Sequence, residues 1–179
     1  MSKYYGVSLG QLLGDIKNTD NIEILISKKN GCSIGLKDKN VFFTWVDFMK
    51  IQKVDEEKYD INLLKELSEI GLMMLINEDR AIYDIKDELF SLKHKTYGMG
   101  LGCSNDNVAY ISVLDNRVEV SENAYMAWIM LTMHDSIEVA YKQILSHYTN
   151  DLEDLNKEVI SSFIDGILEL LMKGLLVLY

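Results

Sequence analysis

The spacing of apolar positions changes period near residue 121. The stretch Asn107-Val108-Ala109-Tyr110-Ile111-Ser112-Val113-Leu114-Asp115-Asn116-Arg117-Val118-Glu119-Val120 alternates and is rich in β-branched residues, with Asp115-Asn116 where a hairpin turn belongs. Beyond it, apolar residues recur at helical spacing and predict helices over about 121–133, 136–148 and 152–173. Gly174 stops the last of these, and Leu175-Leu176-Val177-Leu178 follows as an apolar tail. A strand-rich lead-in followed by three helices makes a small winged-helix-type unit.

The third helix carries more apolar surface than one face can use. Leu152, Leu155, Val159, Phe163, Ile167 and Leu170 form one stripe. Ile160, Ile164, Leu168, Leu171 and Met172 widen it past the arc of about 100° that a surface helix needs. The surplus is expected to pack on another module or on a second subunit of a homodimer. The alternative is that part of it lines a peptide groove.

The first half repeats part of this pattern. Residues 61–75 also read as a helix closed by a glycine, Gly71, and followed by an apolar strand. Aromatic-rich helices precede both, Phe42-Phe43-Thr44-Trp45-Val46-Asp47-Phe48-Met49 and Tyr125-Met126-Ala127-Trp128-Ile129-Met130-Leu131. Two related modules are therefore expected, over about 22–90 and 97–179. In the first, residues 21–27 and 32–36 read as strands about a turn at Lys28-Lys29-Asn30-Gly31. Residues 72–76 and 81–85 flank Asn77-Glu78-Asp79-Arg80 as a β-hairpin wing, and a short helix is expected around 9–16. The polar, glycine-containing stretch 91–107, with Gly98, Gly100 and Gly102, reads as a flexible joint. The predicted fold class is thus α+β: two tandem winged-helix-like modules, 1–96 and 97–179, each a small antiparallel sheet on about three helices.

Charge narrows the partners. The chain has 179 residues, 48% hydrophobic, with 18 basic against 28 acidic residues and a net charge of −10. Only two arginines occur, Arg80 and Arg117, and no basic stripe is visible. The third helix carries six acids (Asp151, Glu153, Asp154, Glu158, Asp165, Glu169) and two lysines (Lys157, Lys173), which repels phosphate rather than reading base edges. Nucleic acid is not the expected partner. No signal peptide precedes the first polar stretch and no run reaches the ~20 apolar residues of a membrane span. Cys32 and Cys103 read as reduced thiols of a cytoplasmic protein.

Catalytic chemistry finds no foothold. His94, His134 and His147 lack metal-ligand spacing. His134 precedes an N-cap at Asp135 or Ser136, and His147 sits at a helix C-terminus. Gly98-Met99-Gly100-Leu101-Gly102 lacks the spacing and the following helix of a nucleotide loop. Asp151, Glu153 and Asp154 suit a helix N-terminus, with a basic peptide partner as the other reading, and Trp45 and Trp128 read as core anchors. No nucleophile–base pair, cofactor fingerprint or metal site is expected, and the protein does not read as an enzyme.

Over about 110–178 the chain resembles the PqqD-type peptide-recognition domains, also called RiPP recognition elements. The hairpin lead-in and Val120-Ser121-Glu122-Asn123-Ala124-Tyr125-Met126-Ala127-Trp128-Ile129-Met130 are similar to that family's strand-Asn-x-x-Ala-x-x-Ile/Leu run. His134-Asp135-Ser136 stands where the family usually has Asp-Gly, so a serine replaces the glycine. The third helix ending Leu171-Met172-Lys173-Gly174-Leu175-Leu176 follows the same pattern.

The resemblance implies a mechanism. The leader segment of a ribosomally made precursor peptide adds as a strand to the edge of a three-stranded sheet and lies against the third helix, and the protein hands it to a modifying enzyme. The edge maps to Arg117, Val118, Glu119 and Val120, and the helix face to Asn156, Val159, Ile160 and Phe163. The rival readings are a winged-helix DNA-binding transcription regulator and a structural subunit of a protein complex.

Overall fold

The computed structural model describes residues 3–18, 21–27, 33–79, 82–103, 108–147 and 153–179. It is α+β, with six helices and small antiparallel sheets among those residues. The chain divides into two compact units, Met1–Arg80 with Val177–Tyr179, and Ala81–Leu176.

The first unit opens on two strands, β1 (Tyr4–Ser8) and β2 (Gln11–Asn18), where a helix around 9–16 was expected. The reason lies in long-range pairing. Gly10 takes φ 102°, its N–H donates to Leu178 O at 2.8 Å, and the Leu9 N–H donates to Leu72 O at 2.8 Å. β2 then pairs antiparallel with β3 (Asn21–Ser27), which pairs with β4 (Ser33–Leu36). Helix α1 (Lys39–Asp47) follows, with Asp38 capping its start. Then come β5 (Gln52–Lys53), α2 (Ile61–Glu69) and β6 (Met73–Asn77). β1 lies between β5 and β6. Trp45, Phe48, Leu64, Leu67, Leu72 and Met73 anchor the core, and the Trp45 indole N–H donates to Leu9 O at 3.1 Å. Residues 28–32, and with them the expected turn and Cys32, lie outside the described residues.

The expected hairpin wing over 72–85 is half right. β6 forms, but its partner is β1, and the second arm is instead helix α3 (Ile82–Phe90) in the other unit. Ile82, Ile85 and Leu89 recur at helical rather than alternating spacing, and Ile85 and Leu89 are buried.

The second unit continues with β7 (His94–Thr96), β8 (Met99–Cys103), β9 (Val108–Val113) and β10 (Asn116–Ser121). The glycine-rich run is therefore a strand, not a joint. The strands β8, β9 and β10 form one antiparallel sheet in the order β10-β9-β8. A Cβ on Gly100 would stand 2.6 Å from the Tyr125 hydroxyl and 2.9 Å from the Trp128 ring, so glycine there lets the strand press against a helix. That helix is α4 (Glu122–Met133), followed by α5 (Ile137–Ser146) and α6 (Glu153–Lys173); the last strand, β11 (Leu176–Leu178), passes into the first unit at Val177. Ser121 and Ser136 cap α4 and α5, their hydroxyls accepting the Ala124 and Val139 N–H groups. α6 packs against α3, α4 and α5 and buries Ile160, Phe163, Ile164, Ile167, Leu170 and Leu171 within this unit, while Met172 stays exposed.

Both predicted glycine stops form. Gly71 (φ 73°) and Gly174 (φ 70°) close α2 and α6 with the same pair of bonds: Leu72 N–H to Leu67 O and Gly71 N–H to Ser68 O, then Leu175 N–H to Leu170 O and Gly174 N–H to Leu171 O. This is the Schellman arrangement.

Candidate functional site

The hairpin sets which backbone groups of β10 face outward. Val113 pairs with Asn116 across the two-residue turn Leu114-Asp115, one residue earlier than the expected Asp115-Asn116. Residues in an antiparallel pair alternate between those bonded to the partner strand and those turned away. Asn116, Val118 and Val120 therefore bond β9, while Arg117, Glu119 and Ser121 present N–H and C=O outward. Among the described residues no strand pairs along that outer side. The side chains alternate too. Val118 is half-buried and Val120 buried, while Arg117 and Glu119 are exposed. The Arg117 guanidinium stacks 3.6 Å from the centre of the Tyr110 ring on the solvent face.

One outward group is already taken. Glu169 of α6 accepts the Ser121 N–H at 3.0 Å and the Ser121 hydroxyl at 2.5 Å. The carboxylate ends the open edge and ties α6 beside it. Arg117 and Glu119 remain, offering two donors and two acceptors to an added strand.

Next to Ser121 a cleft of about 470 Å³ opens between α4, α5 and α6. Met126, Val159 and Phe163 supply apolar lining, and Glu122 and Glu158 add carboxylates. α4 and α6 run antiparallel here, because Gly166 of α6 meets Asn123 of α4 and Glu169 meets Ser121. A Cβ on Gly166 would lie 2.6 Å from Asn123 O, so the close crossing needs glycine.

The structure thus brings Val159 and Phe163 to one cleft near the Arg117–Val120 strand. Ile160 and Phe163, at 1% and 4% exposure, both belong to the core, and Phe163 reaches the cleft only as part of its floor. Asn156 lies on α6, with its side chain outside the described residues, as are those of Glu153 and Asp154. Sequence reasoning missed Glu122, Met126 and Glu169 as site residues. The i,i+4 pairs Glu122/Met126 and Val159/Phe163 were the available signal.

Several titratable groups elsewhere have structural partners. His94 is buried and its Nε2 donates to Leu131 O at 2.7 Å. Hydrogen bonds from the Tyr59 hydroxyl and Lys58 hold Asp47 below the usual carboxylate range, and hydrogen bonds to the Tyr59 hydroxyl and then to Asp47 raise Lys58. Lys142 one turn along α5 lowers Glu138 in the same way. Among the described residues no three His, Cys, Asp or Glu side chains gather as a metal site, and no helix is long and apolar enough to cross a membrane. No protein family, curated protein or solved structure matches the chain.

Proposed function

We propose that this is a cytoplasmic, non-catalytic peptide-binding protein, built of two winged-helix-like modules, that takes the leader segment of a ribosomally made precursor peptide and presents it to a modifying enzyme. The leader adds as a strand beside β10, hydrogen-bonding Arg117 and Glu119, and lies against α6. The observation that carries this reading is the regular edge of β10, unpaired among the described residues and flanked by α6 and its cleft. Strand addition supplies main-chain bonds that any extended peptide can make, and the neighbouring cleft supplies selectivity through side chains. The acids of α6 disfavour DNA in the same place.

The test is a calorimetric titration with synthetic peptides encoded beside the gene. Saturable one-to-one binding is expected. A proline in the paired stretch of the peptide abolishes it, as does Glu119→Pro in the protein, which deletes an outward N–H without touching the β9 ladder. Failure of every such peptide to bind overturns the reading.

A further inference from the structure

We infer that the α4–α6 cleft selects a basic side chain, lysine or arginine, in the bound peptide. This inference rests on strand addition at β10 and deepens it by naming what the peptide must carry. The cleft combines two features that suit such a side chain. Its lining is apolar at Met126, Ala127, Val159 and Phe163, which accepts the hydrocarbon stem of a long cation. Its carboxylates, Glu122 at the Ser121 end and Glu158 further along α6, have no ion-pair partner among the described residues, so either one can meet the charged head. Charge complementarity therefore favours a cation over an acidic or purely aliphatic side chain, in a chain whose net charge is −10.

Position along the peptide follows from helix geometry. Glu122 directly follows the end of β10, and Glu158 lies about three turns before Glu169 on α6, or ~16 Å at 1.5 Å per residue. An extended peptide rises ~3.3 Å per residue and crosses that span in about five residues. The basic residue belongs within about five residues of the paired stretch, on the side nearest Ser121.

Selection of a displayed library of random peptides, about twelve residues long, on the full chain tests this. The expected result is enrichment of sequences with Lys or Arg at a fixed distance from an alternating stretch. For one enriched peptide, the double variant Glu122→Gln/Glu158→Gln should bind about fivefold more weakly, and the loss should shrink as salt rises. Changing the peptide's basic residue to methionine should weaken binding to the unaltered protein equally. Enriched peptides that need an intact Glu119 edge but show no basic preference, or bind the double variant as well, overturn the inference and leave strand addition standing. Peptides that bind despite Glu119→Pro overturn strand addition, and with it the predicted spacing. No enrichment overturns both. A change in solution mass on substituting the two glutamates assigns the cleft to a second copy of the chain and overturns the inference.

Discussion

The sheet of the second unit has two edges, and they are built differently. β8 carries a register shift between Gly100 and Gly102, with Leu101 more than half exposed and Gly102 at φ 91°. Its Gly102 N–H is taken by the Tyr125 hydroxyl at 3.0 Å. β2 in the first unit is interrupted similarly, between Leu12 and Gly14. Bulges of this kind spoil an edge as a template for another strand. β10 keeps regular register over all six residues and stops only where Glu169 caps Ser121. One edge of the sheet is closed by its own irregularity, and among the described residues the other stays open for a defined length. Binding by strand addition needs the second kind.

The largest effect on this contrast should come from the helix crossing that holds α6 beside β10. Gly166→Val would press a branched side chain against Asn123 backbone, which cannot swing aside. Overpacking of this kind typically costs about 1–3 kcal/mol and should fall at the upper end here. The expected loss is ~3 kcal/mol, read as a lowered urea midpoint. Glycine to alanine in a helix interior normally gains about 1 kcal/mol in propensity. A stabilised Gly166→Ala variant would therefore show that the crossing is not tight.

A proline scan along β10 separates inward from outward groups. Val120→Pro removes an N–H that bonds β9 and should cost roughly 2–3 kcal/mol, whereas Glu119→Pro should cost about 1 kcal/mol or less. Equal midpoints for the two variants would mean that the assigned alternation is wrong. Glu169→Ala probes the end of the edge. Loss of the bonds to Ser121 should lower stability by about 1 kcal/mol. It also frees the Ser121 N–H for an added strand, so peptide affinity should rise several-fold while stability falls. Affinity falling along with stability would show that the Glu169 bonds support the slot rather than limit it.

The elements of the second unit were readable because local signals and tertiary packing agree there. Alternation gave β9 and β10, apolar spacing gave α4, α5 and α6, and Gly174 marked the stop of α6, as Gly71 did for α2 in the first unit. Trp45 and Trp128 proved buried, as their apolar neighbours suggested. The first unit was less legible where distant partners decide. Residues 9–16 look helical by spacing, but pairing with β3 makes a strand, a case of context outweighing weak propensity. Glycines 98, 100 and 102 looked like a joint because composition cannot show Tyr125 and Trp128 lying against Gly100. The same limit hid Glu169, whose role depends on Ser121 lying 48 residues earlier in the chain.

The smallest effect concerns the hairpin that sets the register of the open edge. Leu114 has φ 54° and is 91% exposed, so a bulky side chain stands in the left-handed region without burial to offset it. That conformation costs a residue with a Cβ roughly 1–2 kcal/mol, and asparagine less, because its short amide can bond the local backbone. Leu114→Asn should therefore raise stability by about 0.5–1 kcal/mol, measured as an upward shift of the urea midpoint. Peptide affinity should stay unchanged, because the turn lies beyond Arg117, the first outward residue of β10. A variant that gains stability but loses peptide would place the turn itself within the binding edge and extend the slot past the end of the strand.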